Sequence, residues 1–131
     1  MRRRFVLIEG ILVDTTQLLK GVLDMAVLAV IVDDDGYGYD IVRRLRAAGL
    51  DEVGDASVYG TLRRLYSAGA LSSYVVPSDG GPHRKYYGMN ANGRAMLAEQ
   101  RENWTHFADT LTRLLEQPQP AVPLLTIGDN S

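Results

Sequence analysis

Apolar positions follow a different pattern in each segment of the chain, and each segment marks an element. From Thr16 to Val32 nearly every side is apolar, as in a helix buried all round, with Thr15 or Thr16 available to cap its start. Lys20 and Asp24, one turn apart, carry the only charge there and are expected to pair. Asp33-Asp34-Asp35-Gly36 ends the helix in solvent. Tyr39 to Ala48 has a stripe of Ile41, Val42, Leu45 and Ala48, with Arg43, Arg44 and Arg46 off it and Gly49 as its stop. A third helix is expected from an Asp55 N-cap to about Ala68, with Gly69 beyond. Its Val58, Leu62 and Leu65 face the core, and its opposite face carries Ser57, Gly60, Arg63, Arg64 and Ser67.

The period then drops to two. Leu71 to Met89, LSSYVVPSDGGPHRKYYGM, reads as two short strands around a Ser-Asp-Gly-Gly-Pro loop, with His83, Arg84 and Lys85 just after the turn. Tyr86 and Tyr87 are adjacent on one strand, so one points inward and the other outward. Asn90 or Asn92 caps a last, long helix reaching about Leu115. Along it Leu97, Arg101, Trp104, Ala108, Leu111 and Leu115 keep 4-3-4-3-4 spacing, with Phe107 and Leu114 widening the stripe. A domain of this size has no internal partner for such a seam, and a second copy of the helix is the economical one.

The expected fold class is therefore mainly α with a small β-hairpin, a winged helix-turn-helix followed by a long C-terminal dimerisation helix. Residues 1–13 are an N-terminal extension, with a start assigned too far upstream, a disordered arm and an added contact all open. Residues 14–89 form the winged domain and 90–116 the dimerisation helix. Residues 117–131, with Pro118, Pro120 and Pro123, form a flexible tail.

Charge sharpens this picture. The formal net charge is −2, which is awkward for a nucleic-acid binder, but it is segregated. Tyr39 to Arg94 has eight cations against five anions, whereas Asp14 to Gly38 has one lysine against five aspartates. The positive part coincides with the third helix and the hairpin. Arg63 and Arg64 are solvated charges on the bland reading. Opposite a core stripe and before a basic hairpin, they are expected to meet guanine edges or phosphate. Ser57 and Tyr59 lie where a helix start meets phosphate, and Thr61, partly turned inward, ranks below them. Arg84 and Lys85 are expected on phosphate or in a minor groove, with His83 a polar wing residue. Alanine at Arg64 and Arg84 is expected to weaken binding and flatten its salt dependence.

Other chemistry finds little support. Cysteine is absent, His83 and His106 are the only histidines, and no metal-ligand spacing, P-loop or nucleophile motif appears, so no enzyme, cofactor or metal is expected. Gly21 to Val32 is far short of the ~20 residues that span a bilayer. Met1 to Val13 opens on three arginines like a signal peptide, but Glu9 interrupts the apolar run and no cleavage site follows, so the expected compartment is the cytoplasm.

Four segments resemble the PadR-like transcriptional regulators. LLKGVLDMAVLAVI (Leu18 to Ile31) is similar to the family's first helix and GYGYDIVRRL (Gly36 to Leu45) to the opening of its second. SVYGTLRRLYSAGAL (Ser57 to Leu71) resembles the recognition helix, and GPHRKYYGMNANGRAML (Gly81 to Leu97) the wing and the start of the last helix. Three positions depart from the pattern: Gly60 replaces a common proline, Tyr66 a common acidic residue and Asp40 a glutamate. The resemblance implies a homodimer whose two heads meet successive major-groove faces of a pseudo-palindromic operator in double-stranded DNA. It also implies a repressor, released in some members by a small aromatic ligand between the dimerisation helices. On that reading Trp104, with Phe107 and Leu111, is a stacking platform; on the simpler one Leu97, Trp104, Phe107, Ala108 and Leu111 only pack across the dimer seam. The alternative function is a winged-helix protein-interaction module whose basic face meets an acidic partner.

Overall fold

The computed structural model describes residues 5–8, 11–14, 18–19 and 21–118. The chain divides into two compact units, Met1–Arg101 and Glu102–Ser131. In the first, β1 (Phe5–Ile8) and β2 (Ile11–Asp14) pair antiparallel, Phe5 opposite Asp14 and Ile8 opposite Ile11. Helices α1 (Leu23–Ile31), α2 (Gly38–Ala47) and α3 (Asp55–Ser67) follow, then the hairpin β4 (Leu71–Ser78) and β5 (Gly81–Met89), then α4 (Ala91–Glu116). The expected order of helices and hairpin is present, with two additions: the N-terminal strand pair and a two-residue strand β3 (Gly36–Tyr37). β3 joins β5 to make a three-stranded antiparallel sheet in the order β3-β5-β4.

The first helix is shorter than its apolar run. Leu18 and Leu19 are helical, but Gly21 and Val22 form a turn before α1 begins at Leu23. The expected caps at Thr15 or Thr16 and the Lys20 half of the Lys20–Asp24 pair lie outside the described residues. α1 buries Leu23, Val27, Leu28 and Ile31 against Ile41, Val42 and Leu45 of α2 and Val58, Leu62 and Leu65 of α3. The α2 and α3 stripes are those that the periodicity predicts, except that Ala48, just past the end of α2, is exposed. Helix α1, expected to be buried all round, buries one side only and leaves Ala29 exposed. The hairpin strands are longer than expected, with a register shift between Val76 and Ser78 and a turn at Asp79-Gly80, where Gly80 has φ 67°.

α2 and α3 end alike. Gly49 (φ 115°) and Gly69 (φ 84°) adopt the left-handed conformation that glycine takes most readily. In α2, Gly49 N–H donates to Arg46 O and Leu50 N–H to Leu45 O; in α3, Gly69 N–H donates to Tyr66 O and Ala70 N–H to Leu65 O. Both are Schellman ends. At its start α3 departs from expectation: Gly54 is the N-cap, and the Asp55 carboxylate instead takes a 3.1 Å bond from Arg46.

α1 has no basic residue in its last turn, so arginines from elsewhere cover its carbonyls. Arg44 Nη1 donates to Val30 O (2.9 Å), and Arg94 Nη2 to Val32 O (3.2 Å). Arg44 also bonds the carbonyls of Asp34 and Asp35, pinning the acidic loop that leads into β3. Gly36 is buried beside it, and a Cβ there would stand 2.7 Å from Arg44 Nη2. Arg44→Ala is expected to remove about 2 kcal/mol of stability, because several carbonyls lose a charged donor. Arg43→Ala loses an exposed pair with Asp40 and an exposed contact with the Tyr39 ring, 5.5 Å from its guanidinium, and is expected to remove about 1 kcal/mol at most. Urea unfolding midpoints of the two variants measure the difference.

Candidate nucleic-acid interface

At about 100° per residue, the centre of α3's exposed face falls on Ala56, Gly60 and Ser67, all small. Arg63 and Arg64 flank this ridge on opposite sides and lead to different surroundings. Arg63 lines a cleft of about 350 Å³ between α3 and the wing, together with Tyr37, Tyr39, Tyr59, Arg84 and Lys85. Arg64 turns to α1, where Nη1 donates to Asp24 Oδ2 at 2.8 Å and Nη2 to Thr61 Oγ1 at 3.4 Å. The bond and charge of Asp24 raise the Arg64 guanidinium above its ordinary pKa.

The wing is held by aromatic rings. Tyr37, Tyr86 and Tyr74 are cross-strand partners on one face of the sheet, with ring centroids 5.5 Å and 5.7 Å apart in succession. The Tyr74 hydroxyl donates to Asp35 Oδ2 at 2.6 Å, and this bond, with some burial, raises the phenol above its ordinary range. Gly88 is buried under that carboxylate, where a Cβ would come within 2.7 Å of Asp35 Oδ1. The guanidinium of Arg84 lies 4.6 Å from the Tyr37 ring centre. On the other face of β5, Lys85 Nζ sits between the rings of Tyr66 (5.3 Å) and Tyr87 (5.6 Å). Tyr66, one of the departures from the family pattern, thus packs against the wing lysine. Tyr87 is buried and Tyr86 is not, the in–out split predicted for the pair.

Of the eight cations between Tyr39 and Arg94, five are tied to the rest of the fold. Arg43 pairs with Asp40, Arg44 holds the acidic loop, Arg46 bonds Val53 O and Asp55, Arg64 pairs with Asp24, and Arg94 covers α1. Arg63, Arg84 and Lys85 are exposed and have no anionic partner among the described residues. All three line the same cleft. Ser57 and Tyr59 are exposed on α3, and His83 is exposed on the wing. Thr61 is a correction: it is 3% exposed and accepts from Arg64, so it turns fully inward and presents nothing to a partner.

Tyr37 and Tyr39 were missed as site residues. Their signal is the glycine between them, since a Cβ at Gly38 would overlap the Tyr59 ring. That glycine lets the second helix start against the third and brings three tyrosines to one cleft.

The geometry is that of a winged helix presenting a small-residue ridge and a cationic cleft, and known proteins carry the same frame. The family model of the PadR-like transcriptional regulators matches residues 27–99, from α1 through the wing into α4. The chain belongs to the PadR-like family. A PadR-like transcriptional regulator from Bacillus cereus is 31% identical, covering 78% of this chain and 99% of its own, with a TM-score of 0.69. A PadR family regulator from Eggerthella lenta is 32% identical, covering 79% and 90%, with a TM-score of 0.72. An uncharacterized Lysinibacillus sphaericus protein is 26% identical over 103 residues, 77% of this chain and 94% of that one.

A PadR-family protein is a DNA-binding transcriptional regulator, which sets aside the protein-interaction module, and the family is one of regulators and not of enzymes. No metal-binding cluster and no helix long and apolar enough to cross a membrane occurs among the described residues.

Along α4 of this PadR regulator, one residue expected at the seam faces inward. Leu97 is 4% exposed and belongs to the core of the first unit. It is drawn in because the helix starts close to the α3–β4 corner: Asn90 Nδ2 donates to Gly69 O (2.9 Å), and Asn90 Oδ1 caps the helix by accepting Gly93 N–H (2.9 Å). In the second unit Trp104, Phe107, Leu111, Leu114 and Leu115 are all exposed, with the Trp104 and Phe107 rings 6.0 Å apart, and Ala108 is half-buried.

Proposed function

We propose that this PadR-family regulator is a homodimer that represses transcription by occupying a pseudo-palindromic operator, and that a small aromatic ligand at the helix seam lowers its hold on DNA. The observation that carries the reading is the apolar face of the second unit. Five large apolar side chains stand exposed on one stretch of helix, each at least 43% accessible. A stripe of that size calls for a partner surface, and a second copy of the same helix offers a self-complementary one. Pairing there gives the protein two reading heads, which a palindrome matches. The adjacent rings of Trp104 and Phe107 supply flat surface for an aromatic ligand. A ligand that favours one dimer geometry changes the spacing of the heads and so the affinity for DNA.

The test is footprinting on the DNA upstream of the protein's own gene, paired with sedimentation equilibrium. The expected results are a protected two-fold-related site and a dimer mass. Leu111→Asp is expected to sediment as a monomer and to bind that site at least about tenfold more weakly, since each head then binds alone. A wild-type monomer, or protection of a single unrepeated half-site, refutes the dimeric reading.

A further inference from the structure

The two arginines on α3 are neighbours in sequence but not in circumstance. Arg63 has no partner among the described residues, whereas Arg64 is gripped from both sides by Asp24 of α1 and by the buried Thr61 of its own helix. The side chains of Arg64 and Asp24 are 59% and 37% exposed, and an ion pair so open to water adds little to stability. On a surface that approaches phosphates, an aspartate also opposes binding. Its benefit must therefore lie elsewhere than in fold stability or raw affinity.

We infer that Asp24 is a positioning residue for sequence selectivity, steering Arg64 toward base edges and away from the DNA backbone. The inference rests on the assignment of this face of α3 to DNA. A guanidinium has five N–H donors, so Asp24 and Thr61 occupy some and leave others for a base. Fixing the group beforehand also spares the entropy of ordering a long side chain on binding. The carboxylate discriminates between targets by charge. It repels a phosphate brought close to Arg64, but it tolerates the neutral acceptor edge of guanine, the commonest specific partner of arginine. Gly60 and Ser57, which border the same hollow as Asp24 and Arg64, leave space for a base edge to approach. Arg63, without such a tether, serves the backbone. The two residues thus divide the work that their adjacency suggests they share.

The experiment measures two affinities for each variant: for a duplex that the wild-type protein selects from a randomised library, and for a scrambled duplex of equal length. Asp24→Asn is expected to bind the selected duplex more weakly and the scrambled one more tightly, so that the ratio falls about tenfold. Asp24→Glu is expected to keep most of the ratio. In an Arg64→Ala background, Asp24→Asn is expected to change the ratio less than about twofold, because the steered group is gone. Equal tightening of both duplexes marks Asp24 as a mere counter-charge and overturns the inference, as does an undiminished effect in the Arg64→Ala background. Arg63→Ala/Arg84→Ala separates the two levels. If it leaves both duplexes bound as tightly as by the wild type, the face itself is misassigned. If it weakens both while Asp24→Asn leaves the ratio unchanged, only the steering is wrong.

Discussion

Replacing Arg63 and Arg84 together by alanine is expected to weaken DNA binding on the order of a hundredfold at low salt, and to lower the salt slope by about two per chain. These side chains face one cleft from α3 and from the wing, and neither has an anionic partner among the described residues. A cation already paired within the protein releases fewer counterions when it meets a phosphate, so unpaired cations dominate the salt-dependent term. The control is Arg94→Ala, which removes a single cation, from a side chain bonded to Val32 O. It is expected to leave the slope nearly unchanged. Fluorescence anisotropy titrations at several salt concentrations measure both slopes, and equal slopes for the two variants refute the cleft as the phosphate-holding site. Unlike the pairing of Arg64 with Arg84 drawn from sequence, this choice follows from where Asp24 lies.

The difference between Arg63 and Arg64 marks the limit of the sequence reading. Helical periodicity puts both on the face opposite Val58, Leu62 and Leu65, and that placement holds. It carries no information on which of them meets a carboxylate 40 positions upstream, because that contact depends on how α1 crosses α3. Periodicity instead suggested Lys20 as the partner of Asp24, the nearest cation on the same helix. Arg44 is a similar case. From sequence it is one more charge beside a polar face; in the fold its guanidinium is the joint between α1, the acidic loop and β3.

Short-range patterns were more legible. The glycine stops of α2 and α3, the Asn90 cap and the split between Tyr86 and Tyr87 each depend on residues within a few positions of one another. β3 escaped notice because two residues show no alternation. The pairing of Tyr37 with Tyr86 is likewise a long-range contact that only the closed sheet reveals. Leu97 continued the 4-3 spacing of the seam faithfully, yet it faces the core, since spacing defines a face and not what covers it.

The same contrast between local rule and tertiary setting governs the second large effect. Gly93→Ala is expected to destabilise the first unit by about 2–4 kcal/mol, although alanine is the better helix former by about 1 kcal/mol. A Cβ at position 93 would overlap the carbonyl oxygen of Ala70 and the sulfur of Met89. The thioether can swing aside, but the carbonyl cannot. Its neighbour Gly69 O is bonded by Asn90 Nδ2, and the Gly93 N–H is itself held by Asn90 Oδ1. Relief requires that the start of α4 move off the α3–β4 corner, which also loosens Leu97 from the core. For a domain of this size the melting temperature is expected to fall by roughly 10 °C or more. Gly60→Ala is the internal comparison. It too is a helical glycine, but a Cβ there meets nothing nearer than Arg63 Nη2 at 3.9 Å. Propensity then acts unopposed, and a gain of about 0.5–1 kcal/mol is expected. Thermal melts followed by circular dichroism should therefore shift in opposite directions for the two variants. A rise for Gly93→Ala would mean that α4 does not depend on close contact at Gly93, and a fall for Gly60→Ala would mean that helix propensity does not act unopposed there.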